Sequence, residues 1–127
     1  MQIVVAGALI DDSLVLLAQR RRPPDLAGLW ELPGGKVNPG ETDAAALIRE
    51  LSEELGIIVR VGPQLGADVV LGPNLVLRAY IVMKIAGTLE NRDHRALRWV
   101  AAPDLAAMDW VPADRAWIGA LHTALGQ

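Results

Sequence analysis

Apolar residues run almost unbroken through QIVVAGALI (2–10) and LVLLAQR (14–20), separated by Asp11-Asp12-Ser13. Two runs of that length around a turn cluster predict two strands joined as a hairpin. Residues 21–29 carry Pro23, Pro24 and Gly28 and read as loop. A short strand is expected at 30–32, before Pro33-Gly34-Gly35 interrupts regular structure. Pro39-Gly40 is a second break. From Thr42 to Leu55 the period changes. At 100° per residue Ala44, Leu47, Ile48, Leu51 and Leu55 form one apolar stripe, and Glu50, Glu53 and Glu54 gather on the other side. Thr42 suits the N-cap, Asp43 suits the positive end of the helix dipole, and Gly56 suits the C′ stop. Residues 57–71 and 75–86 predict two further strands, turning at Gly72-Pro73-Asn74, and 97–101 a last strand. A helical turn is expected at 103–108 and a C-terminal helix at 112–125, with its proline in the first turn. Mixed strands with two helices predict an α/β or α+β sandwich.

Composition narrows the class. With 127 residues, 52% of them hydrophobic, the chain suits one folded domain (1–127) and argues against disorder. No apolar run reaches the roughly 18 residues of a membrane span. The start reads as a strand, without the basic region and cleavage site of a signal peptide. There is no cysteine, so no disulfide framework, thiolate zinc site or thiol nucleophile. These features predict a cytoplasmic protein with no membrane partner. A net charge of −3 argues against a nucleic-acid polymer as partner. The one basic cluster, Arg20-Arg21-Arg22, suits a phosphate-bearing small molecule or ordinary solvated surface. Oligomeric state is left open by the pattern.

The acidic helix raises the chemical question. Like charges at i, i+3 and i+4 cost a few tenths of a kcal/mol per pair, and Arg49, four residues before Glu53, relieves only part of that. One reading is a solvated acidic face. The other is a hard-cation site, because clustered carboxylates suit Mg2+ or Mn2+ and such ions bridge to phosphates.

The flanking residues weigh between them. Gly35, five residues, Glu41, seven residues, then Arg49-Glu50-Leu51-Ser52-Glu53-Glu54-Leu55-Gly56-Ile57 match every defined position of the Nudix box. The chain therefore resembles a Nudix hydrolase, with the box at 35–57. The resemblance implies an α/β/α sandwich around a central mixed sheet, and Mg2+- or Mn2+-dependent hydrolysis of a nucleoside diphosphate linked to another group. It implies that Glu50, Glu53 and Glu54 bind metal, with the Gly35 carbonyl completing the site, and that Glu41 and Arg49 brace the helix. Asp93, six residues before Trp99, resembles the loop carboxylate that binds metal or acts as general base in MutT-type members, and Glu53 is the competing base. His94 reads as a surface loop residue, and His122 as structural or exposed.

GLWELPGGKVNPGE resembles the MutT-type subgroup, which converts nucleoside triphosphates to monophosphate and pyrophosphate. That likeness implies phosphate contacts from Arg20 and Lys36. In 8-oxo-guanine enzymes an asparagine follows Pro-Ala near the C-terminus, whereas here DWVPADR supplies Asp114. An ionised aspartate only accepts hydrogen bonds. It pairs with the N4 amine of cytosine and badly with oxidised guanine, which offers one donor and one acceptor. Capping of the last helix is the plain alternative for Asp114. The whole pattern, LRAY at 77–80 included, is similar to bacterial, particularly actinobacterial, CTP pyrophosphohydrolases. Leu32 and Arg78 are then candidates to line the pocket. The four tryptophans read as core or rim. The substrate expected is CTP, dCTP or 5-methyl-dCTP. The alternatives are 8-oxo-dGTP and a non-catalytic nucleotide-sensing module.

Overall fold

The computed structural model describes residues 1–126. Seven strands build the centre: β1 (Gln2–Asp11), β2 (Leu14–Gln19), β3 (Trp30–Glu31), β4 (Gly34–Lys36), β5 (Ile57–Gly72), β6 (Leu75–Gly87) and β7 (Ala96–Ala101). Helix α1 (Asp43–Leu55) covers one side. On the other lie two 3-10 turns, Ala102–Ala107 and Pro112–Trp117, and the short helix α2 (Ile118–Ala124).

The sheet is mixed. β1 runs parallel to β6 over Gln2–Leu9 and antiparallel to β4. β2 pairs with β3 and β7, and β5 with β6, all antiparallel. Side chains of β1 alternate across it. Val5 and Leu9 join Leu47, Leu51 and Leu55 of α1, while Ala6 and Ala8 join Leu105, Trp110, Trp117 and Leu121. Strands buried on both faces must be apolar throughout, which accounts for the unbroken runs. The result is the α/β/α sandwich that the box implied.

Three expectations need correction. The first two strands do form a hairpin, but only Ile10–Val15 and Asp11–Leu14 pair. Beyond that the strands part, and most of β1 is taken by β6 and β4. Gly34 and Gly35 are not a break but half of β4, against Ala6 and Val5. A Cβ on Gly34 would stand 1.9 Å from the Val5 carbonyl oxygen, so glycine is what allows this close pairing. The buried stripe of α1 is Ala46, Leu47, Leu51, Glu54 and Leu55, with Ile48 37% exposed. The caps are as expected. Thr42 Oγ1 accepts the Ala45 N–H at 3.1 Å, and Gly56 sits at φ 70° with its N–H on the Ser52 carbonyl.

The two adjacent glycines separate stability from site geometry. A Cβ on Gly35 would meet the Glu50 carboxylate at 2.3 Å, the movable end of a side chain, whereas Gly34 faces backbone. Gly34→Ala is expected to cost about 1–3 kcal/mol in chemical denaturation. Gly35→Ala is expected to lose less stability but more divalent-cation affinity, read by calorimetric titration.

No helix among the described residues is long and apolar enough to cross a membrane.

Candidate active site

A cleft of about 520 Å³ opens beside the C-terminal half of α1. Its walls come from three separate pieces of chain. Helix α1 supplies Glu50, Glu53 and Glu54. The end of β2 and the following loop supply Arg20, Arg21 and Arg22, opposite Glu31 and Gly34. The loop before β7 supplies Arg92, Asp93 and His94. That loop is fastened to the helix end by main-chain bonds, Glu90 N–H to the Leu55 carbonyl and Arg92 N–H to that of Glu54. These amides satisfy carbonyls that the helix terminus leaves free.

Arg49 holds the helix to the loop before it. Its guanidinium donates to both Glu41 oxygens at 2.9 Å, to Glu50 at 2.9 Å and to the Lys36 carbonyl at 3.1 Å. Glu41 also accepts the Asn38 N–H. The Arg49 fork, helped by that amide, holds the Glu41 carboxyl down at about 2. Arg49 and Glu41 thus tie α1 to the loop before it.

Glu54 is 8% exposed, and its Oε2 is a buried acceptor with no hydrogen-bond partner among the described residues. Burial pushes its carboxyl up to about 9, reinforced by Glu50 and by the charges of Asp93 and Glu31. Glu53 is open to solvent, with Arg49 at 3.6 Å. Three oxygen donors on one helix face, one left orphaned, fit a hard divalent cation better than a solvated surface. Glu54, Asp93 and His94 also bring ligand atoms within 4.8 Å of one another.

Proton linkage gives a test. In the metal-free fold Glu54 keeps its proton from pH 4.5, where the unfolded group loses it, up to about 9. Stability therefore falls as pH rises through that window. A cation binds the deprotonated form and releases the proton. The rise in Tm on adding Mg2+ to chelator-treated protein is expected to be larger at pH 8.5 than at pH 6.

Asp93 lies at the cleft mouth, ion-paired with Arg22 at 3.0 Å. Arg20 faces Glu31 at 3.0 Å. Burial raises the Glu31 carboxyl and Arg20 opposes the rise. Glu31, Gly34, Arg92 and His94 line the cleft without a site role in the sequence reading. Glu31 gave no signal, because its partner Arg20 lies eleven positions away. His94 is no surface residue: it is 4% exposed. The Asn91 side chain accepts its backbone N–H and Arg21 donates to its carbonyl, which turns the ring inward. Burial lowers the imidazole's proton affinity.

Asp114 borders a second, smaller cavity of about 120 Å³ that shares Arg20, Glu31 and Gly34 with the cleft. Main-chain bonds from Trp30 to Asp109 and from Val111 to Trp30 bring the 112–117 turn against β3. Asp114 Oδ2 there accepts the Leu32 N–H at 2.9 Å. It does not cap the turn, whose N-cap position is Val111. Burial pushes its carboxyl up to about 7, against the lowering by the Leu32 amide. Leu32 lines the same cavity and is 3% exposed. Arg78 stands apart from the cleft, with Asp43 at 3.0 Å and Asp68 at 2.8 Å. Lys36 is exposed, and only its carbonyl takes part, under Arg49. Trp110 and Trp117 are core, as expected.

A NUDIX domain model matches residues 1–121. The chain belongs to the Nudix family. This Nudix chain is 57% identical to a Mycobacterium tuberculosis protein that carries the provisional name 8-oxo-dGTP diphosphatase 2, over 98% of the chain and 90% of that protein. It is 42% identical to the CTP pyrophosphohydrolase of Escherichia coli K12, over 87% and 84%. Among solved structures, the E. coli ORF135 protein superposes with TM-score 0.83 at 35% identity, covering 99% of the chain and 91% of its own length. A MutT Nudix hydrolase from Burkholderia pseudomallei gives 0.80 at 32%, covering 93% and 95%. The Nudix chain is thus MutT-like in sequence and fold.

Proposed function

We propose that the protein hydrolyses cytosine nucleoside triphosphates, CTP, dCTP and 5-methyl-dCTP, to the monophosphate and pyrophosphate in the cytoplasm. Asp114 carries this reading. It is a buried carboxylate with one oxygen fixed by the Leu32 amide, on a small cavity that opens beside the carboxylate-lined cleft. A second oxygen held this way accepts the N4 amine of cytosine, and a base without that donor leaves it unpaired.

Glu50, Glu53 and Glu54, with the Gly35 carbonyl, would hold Mg2+, or Mn2+ in its place. Bound there, a divalent cation neutralises phosphate oxygens and makes water a better nucleophile at neutral pH. Arg20, Arg21 and Arg22 bind the phosphate chain from the opposite wall, where fixed positive charge offsets the charge of the transition state. Glu53 and Asp93 are the solvent-accessible carboxylates of the cleft, and one of them takes the proton of the attacking water.

One observation favours a second reading. With its carboxyl raised to about 7, Asp114 exists partly protonated near neutrality. A protonated carboxyl both donates and accepts, which suits oxidised guanine, and the M. tuberculosis relative is named for 8-oxo-dGTP. Pyrophosphate release with Mg2+ is to be compared for CTP, dCTP, 5-methyl-dCTP, 8-oxo-dGTP, dGTP, ATP and ADP-ribose at low micromolar concentration. Preference for the cytosine set supports the first reading. Preference for 8-oxo-dGTP establishes the second, and no turnover of any compound rejects both.

A further inference from the structure

Among the described residues, the His94 ring has no hydrogen-bonded partner for Nδ1, which is enclosed. Its Nε2 lies 3.4 Å from Glu54 Oε1 and 3.8 Å from Glu31 Oε2. A neutral imidazole carries its proton on one nitrogen only. A buried N–H with nothing to receive it costs more than a bare lone pair. The proton is therefore placed on Nε2, which faces oxygens of Glu54 and Glu31. Glu31 in turn holds Arg20 at 3.0 Å. Glu54 Oε1 is the nearer oxygen to Nε2, and Glu31 Oε2, at 3.8 Å, lies beyond hydrogen-bond reach.

We propose that His94 is a positioning residue, whose Nε2–H orients the Glu54 carboxylate toward a bound divalent cation. The inference rests on Glu54 being a metal carboxylate. Its observations are its own: the burial of the ring, the orphan nitrogen and the two facing oxygens. A ligating carboxylate fixed by an outer donor binds its metal better because less order is lost on binding, and removal of such a donor costs about 10–100-fold in affinity or activity.

Two measurements test it. Nitrogen-15 spectra of the histidine rings, without metal and with Mg2+, are expected to show a neutral Nε2–H ring for His94 in both states. Calorimetric titration with Mg2+ is expected to show about 10–100-fold weaker binding in His94→Leu. In His94→Gln, whose amide donates from nearly the same place, most of that loss should be restored. Turnover should follow, with the Mg2+ activation constant raised more than the nucleotide KM. A proton found on Nδ1 overturns the proposal, as does broadening of Nε2 by Mn2+ beyond what distance explains, which would make the ring a direct ligand. So does Mg2+ binding by His94→Leu equal to wild type. Should His94→Leu fail to fold, the tautomer and the glutamine variant still decide. A wild-type protein that binds no divalent cation would remove the metal reading as well, whereas unchanged binding in the variant removes only the role of His94.

Discussion

Glu53→Gln is expected to lower kcat by about 10²–10⁴-fold at saturating Mg2+, the range for loss of a positioned proton acceptor, while the fold stays intact. The two effects part because of where Glu53 sits. Its side chain is 61% exposed and touches only Arg49, at 3.6 Å. It contributes no core packing, and in the metal-free protein its charge crowds that of Glu50. Removing that charge relieves repulsion of a few tenths of a kcal/mol per pair, so Tm of the metal-free variant should equal or slightly exceed wild type. Steady-state rates and thermal melts on one preparation check both halves. Turnover unchanged at saturating Mg2+ would remove Glu53 from the chemistry.

Asp114→Asn should change both substrate preference and the pH profile of stability. The amide can still accept the Leu32 N–H, so the fold is retained. It can also turn an NH2 toward the base, where the carboxylate offered only an acceptor. The kcat/KM for CTP is expected to fall by about 10–100-fold, the value of one well-placed pairing, with a relative gain for 8-oxo-dGTP. No shift in preference would mean that Asp114 does not read the base. For stability, the folded carboxyl titrates near 7, against 3.8 when unfolded. Between those values the unfolded chain has released a proton that the native chain keeps. The Asp114 contribution to wild-type stability therefore falls as pH rises from about 4 to 7 and levels off above. The asparagine variant lacks that slope, so denaturation at pH 5 and pH 8 should show the two proteins diverging toward the higher pH.

Much of the frame was legible because its signals are local. Thr42, Gly56 and the 3.6-residue period define α1 without reference to anything distant, and the likeness of 35–57 to the Nudix box pointed to the carboxylates that line the cleft. What was missed depends on long-range partners. β4 is a strand only because Gly34 fits against the Val5 carbonyl. Glu54 joins the buried side of α1 because the cleft loop closes over the last turn of the helix. His94 looks like a loop residue until Asn91 and Arg21 are seen fixing its backbone. Arg78 has the type of a ligand, but Asp43 and Asp68 already hold it.

The main-chain bonds from Glu90 and Arg92 to the last turn of α1 also bear on how such a chain can diversify. They fix the spacing between helix and loop independently of side-chain identity. The β5–β6 hairpin leaves from one end of this junction and returns to the other, turning at Gly72-Pro73-Asn74. Lengthening it at that turn moves neither anchor. Insertions of new sequence are thus tolerable at the hairpin tip and ruinous between Glu90 and Ala96, so variation in length can accumulate in one segment while the catalytic frame is inherited unchanged.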